Sequence, residues 1–328
     1  MIWVNAIWRS GSTYVWNKFR QTGQYHCYLE PFHEEMATLS AARDQEILAS
    51  GLPALLRHPR VDQPYFAEYP VRPGGGVPGY LKRFGYERCM LSGNDRDDEL
   101  EAYIASLAAY ARERGKMAMF QPNRALLRSD WLCGRLGFTH VFLLRHPWKV
   151  WRSMMSYENL YFPGAILNTI GQNRELSCFA PIVSRYSIPR ISHPDSRVEL
   201  AECSAFAREH RDILDSIFFY FYLLTTLYNL KCCDVALDLN RIGSDANARQ
   251  RAEERLSRDG IGISLADCAP PRQEFSPAEM SCQRRIEDDV SEMLAGVGST
   301  VQISRERLAE LSLDLDGSIA ALCGRFVG

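Results

Sequence analysis

The sequence predicts an α/β protein with a central parallel sheet flanked by helices. Short apolar runs, Ile2 to Ile7 and His140 to Leu144 the clearest, read as buried strands. They alternate along the chain with segments of helical periodicity, which implies parallel pairing and helices on both faces. The composition, 46% apolar and 24% charged over 328 residues, is that of a globular chain with a large core. In such sheets a ligand binds beyond the carboxyl ends of the strands.

The first run leads into Arg9-Ser10-Gly11-Ser12-Thr13 and then a helix over Tyr14 to Phe19, with Ser12 or Thr13 as its expected N-cap. Gln24 to Leu29 reads as a second strand. It enters Glu30-Pro31-Phe32-His33-Glu34-Glu35, where Pro31 is expected to hold Glu30 extended. Thr38 to Leu56 reads as helix. Arg60 to Tyr80, with Gly74-Gly75-Gly76, reads as an exposed connecting loop. Asp97 to Arg114 is an amphipathic helix ended by Gly115, Met117 to Phe120 a strand, and Arg124 to Leu136 a helix. After the strand at His140 come a helix over Trp148 to Tyr157 and an irregular stretch over Leu167 to Pro194. That stretch carries Arg174, Arg185 and Arg190 as candidate acceptor-side residues. A long helix over Ser204 to Leu230 and a last strand over Asp234 to Leu239 follow. The remainder reads as helices and loops covering the sheet. The expected organisation is a single domain, with a motif-bearing core over 1–157 and acceptor-side and covering segments over 158–328.

Net charge is -2, which argues against a general nucleic-acid binder. Its distribution is uneven. Met1 to Leu29 holds three basic residues and no acid, and Arg112 to Arg152 holds nine basic residues and two acids. Two basic stretches in an acidic chain suit a small polyanion. Asp234 to Gly328 is acidic, with 17 acids and 11 basic residues. No basic leader precedes the first apolar run, and the apolar stretch Ile213 to Leu230 is interrupted by polar residues, so the expectation is a cytoplasmic protein with no membrane span. The ten cysteines form no C-x-x-C pair, and no His/Cys cluster has ligand spacing. Reduced thiols and no metal are expected.

A strand, a small-residue turn and a helix N-terminus make an anion site: turn N–H groups point outward and the helix dipole adds partial positive charge. Gly11 lets the backbone approach a ligand, Ser12 and Thr13 add hydroxyls, and Arg9 adds a planar cation suited to phosphate or sulfate. The loop is not a Walker A motif. Ser12 stands where that motif has lysine, and no glycine lies five residues before Gly11. The second stretch is Leu144-Arg145-His146-Pro147, with Ser153 eight residues after Arg145. Arg145 ends a buried strand, and Ser153 falls about two turns into the next helix, on the side of the strand end. Together they can grip a second phosphate. The competing reading pairs Arg145 with a carboxylate.

Taken together, the two stretches resemble the sulfotransferases that use 3′-phosphoadenosine 5′-phosphosulfate. In the bacterial and Golgi branches of that family the loop binding the 5′-phosphosulfate is often written Arg-Ser-Gly-Ser-Thr, as in Arg9 to Thr13 here. The family's 3′-phosphate motif, Leu-Arg-Asp-Pro followed by a serine, is matched by Leu144, Arg145, Pro147 and Ser153, with His146 in place of Asp. The carbohydrate branch has a strand ending in Glu-Pro, whose Glu is the expected base. Glu30-Pro31 looks like that element. The resemblance covers Met1 to about Tyr157. The family's later glycine- and lysine-containing segment is not visible.

The resemblance implies a P-loop-like three-layer sandwich and the nucleotide as co-substrate, with adenosine 3′,5′-bisphosphate (PAP) as product. Ser10 joins Arg9, Gly11, Ser12, Thr13, Arg145 and Ser153 as nucleotide ligands. It implies transfer of the sulfuryl group to a hydroxyl acceptor, a carbohydrate or small molecule, without a metal. Such transfer is in line and needs cations and N–H donors at the transferring group, which Arg9 and its loop supply. It also needs a base, for which Glu30 is the first candidate and His33 the second. Two rivals stand: a non-catalytic nucleotide- or glycan-binding protein on the same fold, and a P-loop-like kinase, which lacks the Walker lysine. Nothing in the sequence sets the oligomeric state.

Overall fold

The structure, a computed structural model, describes residues 1–50, 61, 63–269, 274–312 and 315–328. Five strands form one parallel sheet in the order β2-β3-β1-β4-β5. They are β1 (Ile2–Ala6), β2 (Tyr25–Leu29), β3 (Met117–Gln121), β4 (Thr139–Leu144) and β5 (Val235–Asp238). β1 is central, with Ile2 to Ala6 opposite Thr139 to Leu143 of β4 and Ile2 and Trp3 opposite Met119 and Phe120 of β3. All residues of β1 and β2 are buried, as expected of strands covered on both faces.

Alternate side chains of β2 show the two layers. Cys27 faces α1 (Ser12–Gln21), where Trp16 Nε1 donates to the Cys27 carbonyl and Phe19 packs edge-on against Tyr25 at 5.0 Å. Tyr28 faces the Asp98–Glu113 helix and donates to the Leu107 carbonyl. The Leu214–Cys232 helix shares that second face. Its Asn229 Oδ1 accepts from Asn5 in mid-β1, and Asn229 also donates to the Leu126 and Thr225 carbonyls. This helix is apolar around its circumference because it is wrapped. The Arg211–Cys232 stretch is long and apolar enough to cross a membrane by length and composition, and 78% of its most apolar window is buried in the protein.

Several expectations are corrected. Neither Ser12 nor Thr13 caps α1: the N-cap is Gly11 at φ +92°, and no side chain caps the helix. The single helix expected over Ser204 to Leu230 is two, Ser196–Glu209 and Leu214–Cys232, separated at His210 and a 3₁₀ turn. Leu167 to Pro194 is not irregular: it holds the end of the Tyr161–Gln172 helix and the whole Ala180–Tyr186 helix. Arg185 and Arg190 in it pair with Asp289 and Glu175. The helix expected from Arg124 starts at Ser129, after a turn. Of the helix expected over Thr38 to Leu56, Ala41–Ala49 is helical and 51–56 lie outside the described residues.

The expected connecting loop, of which Arg60 and Asp62 lie outside the described residues, is no exposed connector. Tyr65, Phe66, Tyr69 and Val77 are buried, and Tyr69 donates to the Leu29 carbonyl. Its glycines serve close approach. Gly76, at φ +81°, donates to the Leu39 carbonyl, and a Cβ there would lie 2.5 Å from the Ala37 oxygen. A Gly-rich sequence looks like a linker, but here it brings two backbones into contact.

Candidate functional site

In this strand order the connection from β1 runs toward β2 and that from β4 runs toward β5. Divergent connections leave a crevice at the carboxyl ends of β1 and β4, the place where open parallel sheets bind ligands. Both sequence motifs end there. Ile7 and Trp8 continue β1 into the turn, where Ser10 N–H donates to the Ile7 carbonyl and Arg9 takes φ +69°. Arg9 Nε donates to Ser153 Oγ at 3.1 Å, and Arg145 Nη1 donates to the Arg9 carbonyl at 2.9 Å. Residues 136 and 144 positions apart thus meet, as their strand and helix positions required. Tyr222 from the Leu214–Cys232 helix fixes the crevice floor by donating to the Arg145 carbonyl at 2.7 Å.

Arg145 decides between two readings. Burial pushes its guanidinium below the usual arginine value, and among the described residues no carboxylate lies within ion-pair distance of it. A half-buried arginine without an acid is uncommon, because an unpaired charge is costly to desolvate. The competing reading, a strand-end Arg paired with a carboxylate, finds no such partner among the described residues. Around it lie further unanswered donors. α1 has no acid in its first turn and no side-chain cap, and neither does the Pro147–Met155 helix, whose N-cap is His146. Ser10 Oγ, fully buried, has no hydrogen-bond partner among the described residues. A loop, two helix N-termini and a guanidinium, all presenting positive charge, are groups of the kind that can hold an anion.

Glu30 is not extended. It sits at φ +49°, with its N–H on the Gln121 carbonyl (2.8 Å) and its own carbonyl accepting from His33 N–H (2.9 Å). Pro31 disfavours the right-handed helical region for Glu30, and the turn to His33 takes the left-handed one instead. This turn aims the carboxylate at the end of β3. Glu30 Oε2 accepts from Asn123 N–H (3.2 Å) and Arg124 Nη1 (2.9 Å), while Oε1 makes no bond among the described residues. Arg124 is a hub whose side chain is only 1% exposed. Its Nη2 donates to Glu34 Oε2 (2.9 Å) and Tyr161 (2.5 Å), and its Nε donates to Tyr86 (3.2 Å). Tyr161 in turn donates to Glu34 Oε1 at 3.0 Å.

Burial opposes the ionisation of Glu34, but His33, Arg124 and the Tyr161 hydroxyl hold its carboxyl well below the usual range. Burial lowers His33 against the pull of Glu34, so its ring is neutral at pH 7. His33 Nδ1 accepts from Glu35 N–H at 3.1 Å, which assigns the ring proton to Nε2, 3.4 Å from the Tyr161 oxygen. A neutral ring with Nε2 protonated has no lone pair left facing the site. This geometry disfavours His33 as a base and suits it to orient a substrate.

Two pairs of neighbours join this cluster to the Arg9 turn. The Arg124 guanidinium lies 5.7 Å from the Trp8 ring, next to Arg9. Tyr161 bonds Arg124 and Glu34 while adjacent Phe162 lies 5.6 Å from the Arg9 guanidinium. Arg9, Glu30 and Leu160 account for three of the five non-glycine residues at positive φ among the described residues. Backbone strain of ~1–3 kcal/mol per residue is held where the site is built. Among the described residues no group of three or more His, Cys, Asp or Glu is placed to hold a metal ion.

Set against models of protein families, curated proteins and solved structures, the chain matches none of them.

Sequence reading missed Arg124, Glu34 and Tyr161. Arg124 was accessible to the rule that found Arg145, since it closely follows the end of a buried strand. Nothing in Glu34-Glu35 says which carboxylate turns inward, and Tyr161 opens a helix that the sequence did not reveal.

Proposed function

We propose that the chain is a sulfotransferase that moves the sulfuryl group of 3′-phosphoadenosine 5′-phosphosulfate to a hydroxyl acceptor, on a P-loop-like three-layer fold. The observation that carries the reading is the pairing of Arg145, which has no carboxylate partner among the described residues, with the Arg9 turn at one crevice. Two phosphate-binding motifs far apart in sequence there form two adjacent anion positions. In this reading the N–H groups of Gly11 to Thr13 and the Arg9 guanidinium hold the 5′-phosphosulfate, with Ser10 alongside. Arg145 and Ser153 hold the 3′-phosphate. Ser153 Oγ accepts from Arg9 and keeps its own hydrogen for an anion.

The acceptor oxygen attacks sulfur in line, the sulfur–oxygen bond to the 5′-phosphate breaks, and the bisphosphate leaves with the electron pair. The acceptor proton passes to Glu30 Oε1, the carboxylate oxygen that the Arg124 pairing leaves unbonded. Fixed donors at the transferring group stabilise the charge that develops there, so the step needs no metal.

One observation favours the rival reading of a binding protein: Glu30 is ion-paired, and a cation at 2.9 Å weakens a carboxylate as a base. The test separates the two. PAP is expected to stabilise the protein in thermal shift much more than AMP does, by about 2.7 kcal/mol at 100 times its dissociation constant. Glu30→Gln is expected to bind PAP unchanged and to lose ~10²–10⁴-fold in turnover of radiolabelled sulfate from the donor. Equal stabilisation by PAP and AMP would remove the 3′-phosphate site. Tight PAP binding without transfer to any acceptor would favour the binding protein.

A further inference from the structure

We propose that Glu34 is a positioning residue for Glu30: by sharing the buried Arg124 guanidinium it keeps that cation from capturing Glu30, so that Glu30 Oε1 remains able to take a proton. The inference rests on the reading of Glu30 as the base.

Arg124 has one positive charge and two carboxylate partners at equal distance, Glu30 Oε2 through Nη1 and Glu34 Oε2 through Nη2, both at 2.9 Å. Its Nε is taken by Tyr86, and Nη2 also reaches Tyr161. With its donors so committed, the guanidinium is poorly placed to turn toward a substrate anion, and its role is to hold other side chains. A lone Arg–Glu pair in a buried site stabilises the carboxylate strongly and depresses its basicity. A second carboxylate on the same cation opposes this, since its negative charge acts on Glu30 through the same low-dielectric space.

The other groups facing the pair do not cancel that charge. His33, on the same turn, is lowered by burial and neutral. Tyr69 from the 61–80 segment, Tyr80, Tyr86 from the Arg83–Tyr86 turn and Tyr161 are all raised by burial and keep their protons. Arg128, one turn after Arg124, donates to the Phe84 and Arg124 carbonyls and makes no bond to either carboxylate. Glu35 faces the opposite way, onto Arg43 and Arg197. Tyr161 fixes the sharing: its hydroxyl accepts from Arg124 and donates to Glu34 Oε1, pinning Glu34 in place while leaving Glu30 Oε1 open.

The experiment is a carbon-13 carboxyl titration of Glu30 in the full chain, wild type against Glu34→Gln, beside the pH profile of sulfate transfer. Glu34→Gln keeps the amide–Tyr161 contact and removes the charge. The Glu30 midpoint is expected to fall by about one pH unit, the low end of what a neighbouring charge does. The acid limb of kcat/KM is expected to move down with it, with PAP affinity unchanged. Should Glu34→Gln fail to fold, the wild type carries the test: the Glu30 resonance is expected to show a second inflection at the Glu34 midpoint, as coupled sites do. A Glu30 midpoint that ignores Glu34 in whichever form folds overturns the proposal, even if the enzyme transfers sulfate. A shifted midpoint in a protein that transfers no sulfate leaves the sharing intact and removes the sulfotransferase reading.

Discussion

At the scale of single residues, Gly11 and Arg145 carry the crevice in different ways. Gly11 is N-cap to α1 at φ +92°, and a Cβ there would stand 2.6 Å from Leu239 Cδ1. The clash is with the mobile end of a side chain, so the backbone conformation sets the cost. We expect Gly11→Ala to lower unfolding free energy by ~1–2 kcal/mol in chemical denaturation, the penalty of a left-handed L-residue. It should also weaken PAP, because the turn N–H groups lose their aim. Arg145→Ala should leave stability nearly unchanged. Its guanidinium is a desolvated cation with no acid partner among the described residues, so removing it costs the fold little beyond one bond to the Arg9 carbonyl. Calorimetry should show PAP binding weakened by ~1.5–3 kcal/mol and AMP binding barely changed. Equal losses for both nucleotides would make Arg145 a structural residue.

At the scale of elements, the segment from Gln63 to Tyr69 is a strap across the β2 edge, and it is sensitive to pH. Arg20 from α1 holds it through the Gln63 and Pro64 carbonyls and a 2.6 Å pair with Glu68. Asp44 holds it through both carboxylate oxygens on Phe66 N–H. Glu68 pairs with the Arg20 guanidinium, and Asp44 is held by the Phe66 amide. Burial raises Asp44 to about 6 and Glu68 to about 7, against the pull of the Phe66 amide and Arg20 respectively. Both folded values lie above the ordinary carboxylate value of ~4, so the folded state binds more protons between them. The stabilisation is complete below pH ~4 and is lost as pH rises through about 6 and 7. Amide exchange of Phe66 and Tyr69, corrected for intrinsic rate, is expected to show protection falling between pH 5 and pH 8. Asp44→Asn should flatten part of that slope. The strap reaches the site, since Phe66 packs 6.1 Å from His33 and Tyr69 bonds the carbonyl before Glu30.

The elements also show where the sequence was legible. Strands β1 and β4 were readable because burial on both faces writes a nearly continuous apolar run, and β2 was readable from its alternation. The Asp98–Glu113 helix was readable because Asp97 caps it, accepting from Leu100 N–H, and one face is apolar. The Tyr161–Gln172 helix was not, because nearly all of it is buried and no polar face marks its period. Leu160 before it takes φ +55°, a start that no capping residue announces. The Glu30 turn was misread because Pro31 excludes only one backbone region, and the choice between the other two belongs to Gln121 and His33.

At the scale of the molecule, the motif-bearing stretch to Tyr157 leans on later elements. β5 completes the sheet beside β4, from Val141 opposite Val235 to Leu144 opposite Asp238. The Leu214–Cys232 helix supplies Asn229 to Asn5 and Tyr222 to Arg145. A chain ending at Tyr157 leaves β4 as an edge with its apolar residues bare and Asn5 without its partner. We expect that fragment to lack the dispersed amide spectrum of the full chain and to show no PAP-dependent stabilisation. A fragment that folds and binds PAP would show that the later half only covers.

Local sequence by itself determined the parallel α/β architecture and that the Arg9 and Arg145 stretches lie at strand ends, because apolar runs, turn residues and helix starts are properties of a few adjacent residues. Only the tertiary structure decided that Arg145 meets no acid among the described residues, that Glu30 shares Arg124 with Glu34, and that Tyr161 bonds both Arg124 and Glu34. Those facts depend on which side chains meet across strand order and helix packing. The charge state of a buried group is set by its neighbours in space, and the chain does not write those neighbours beside it.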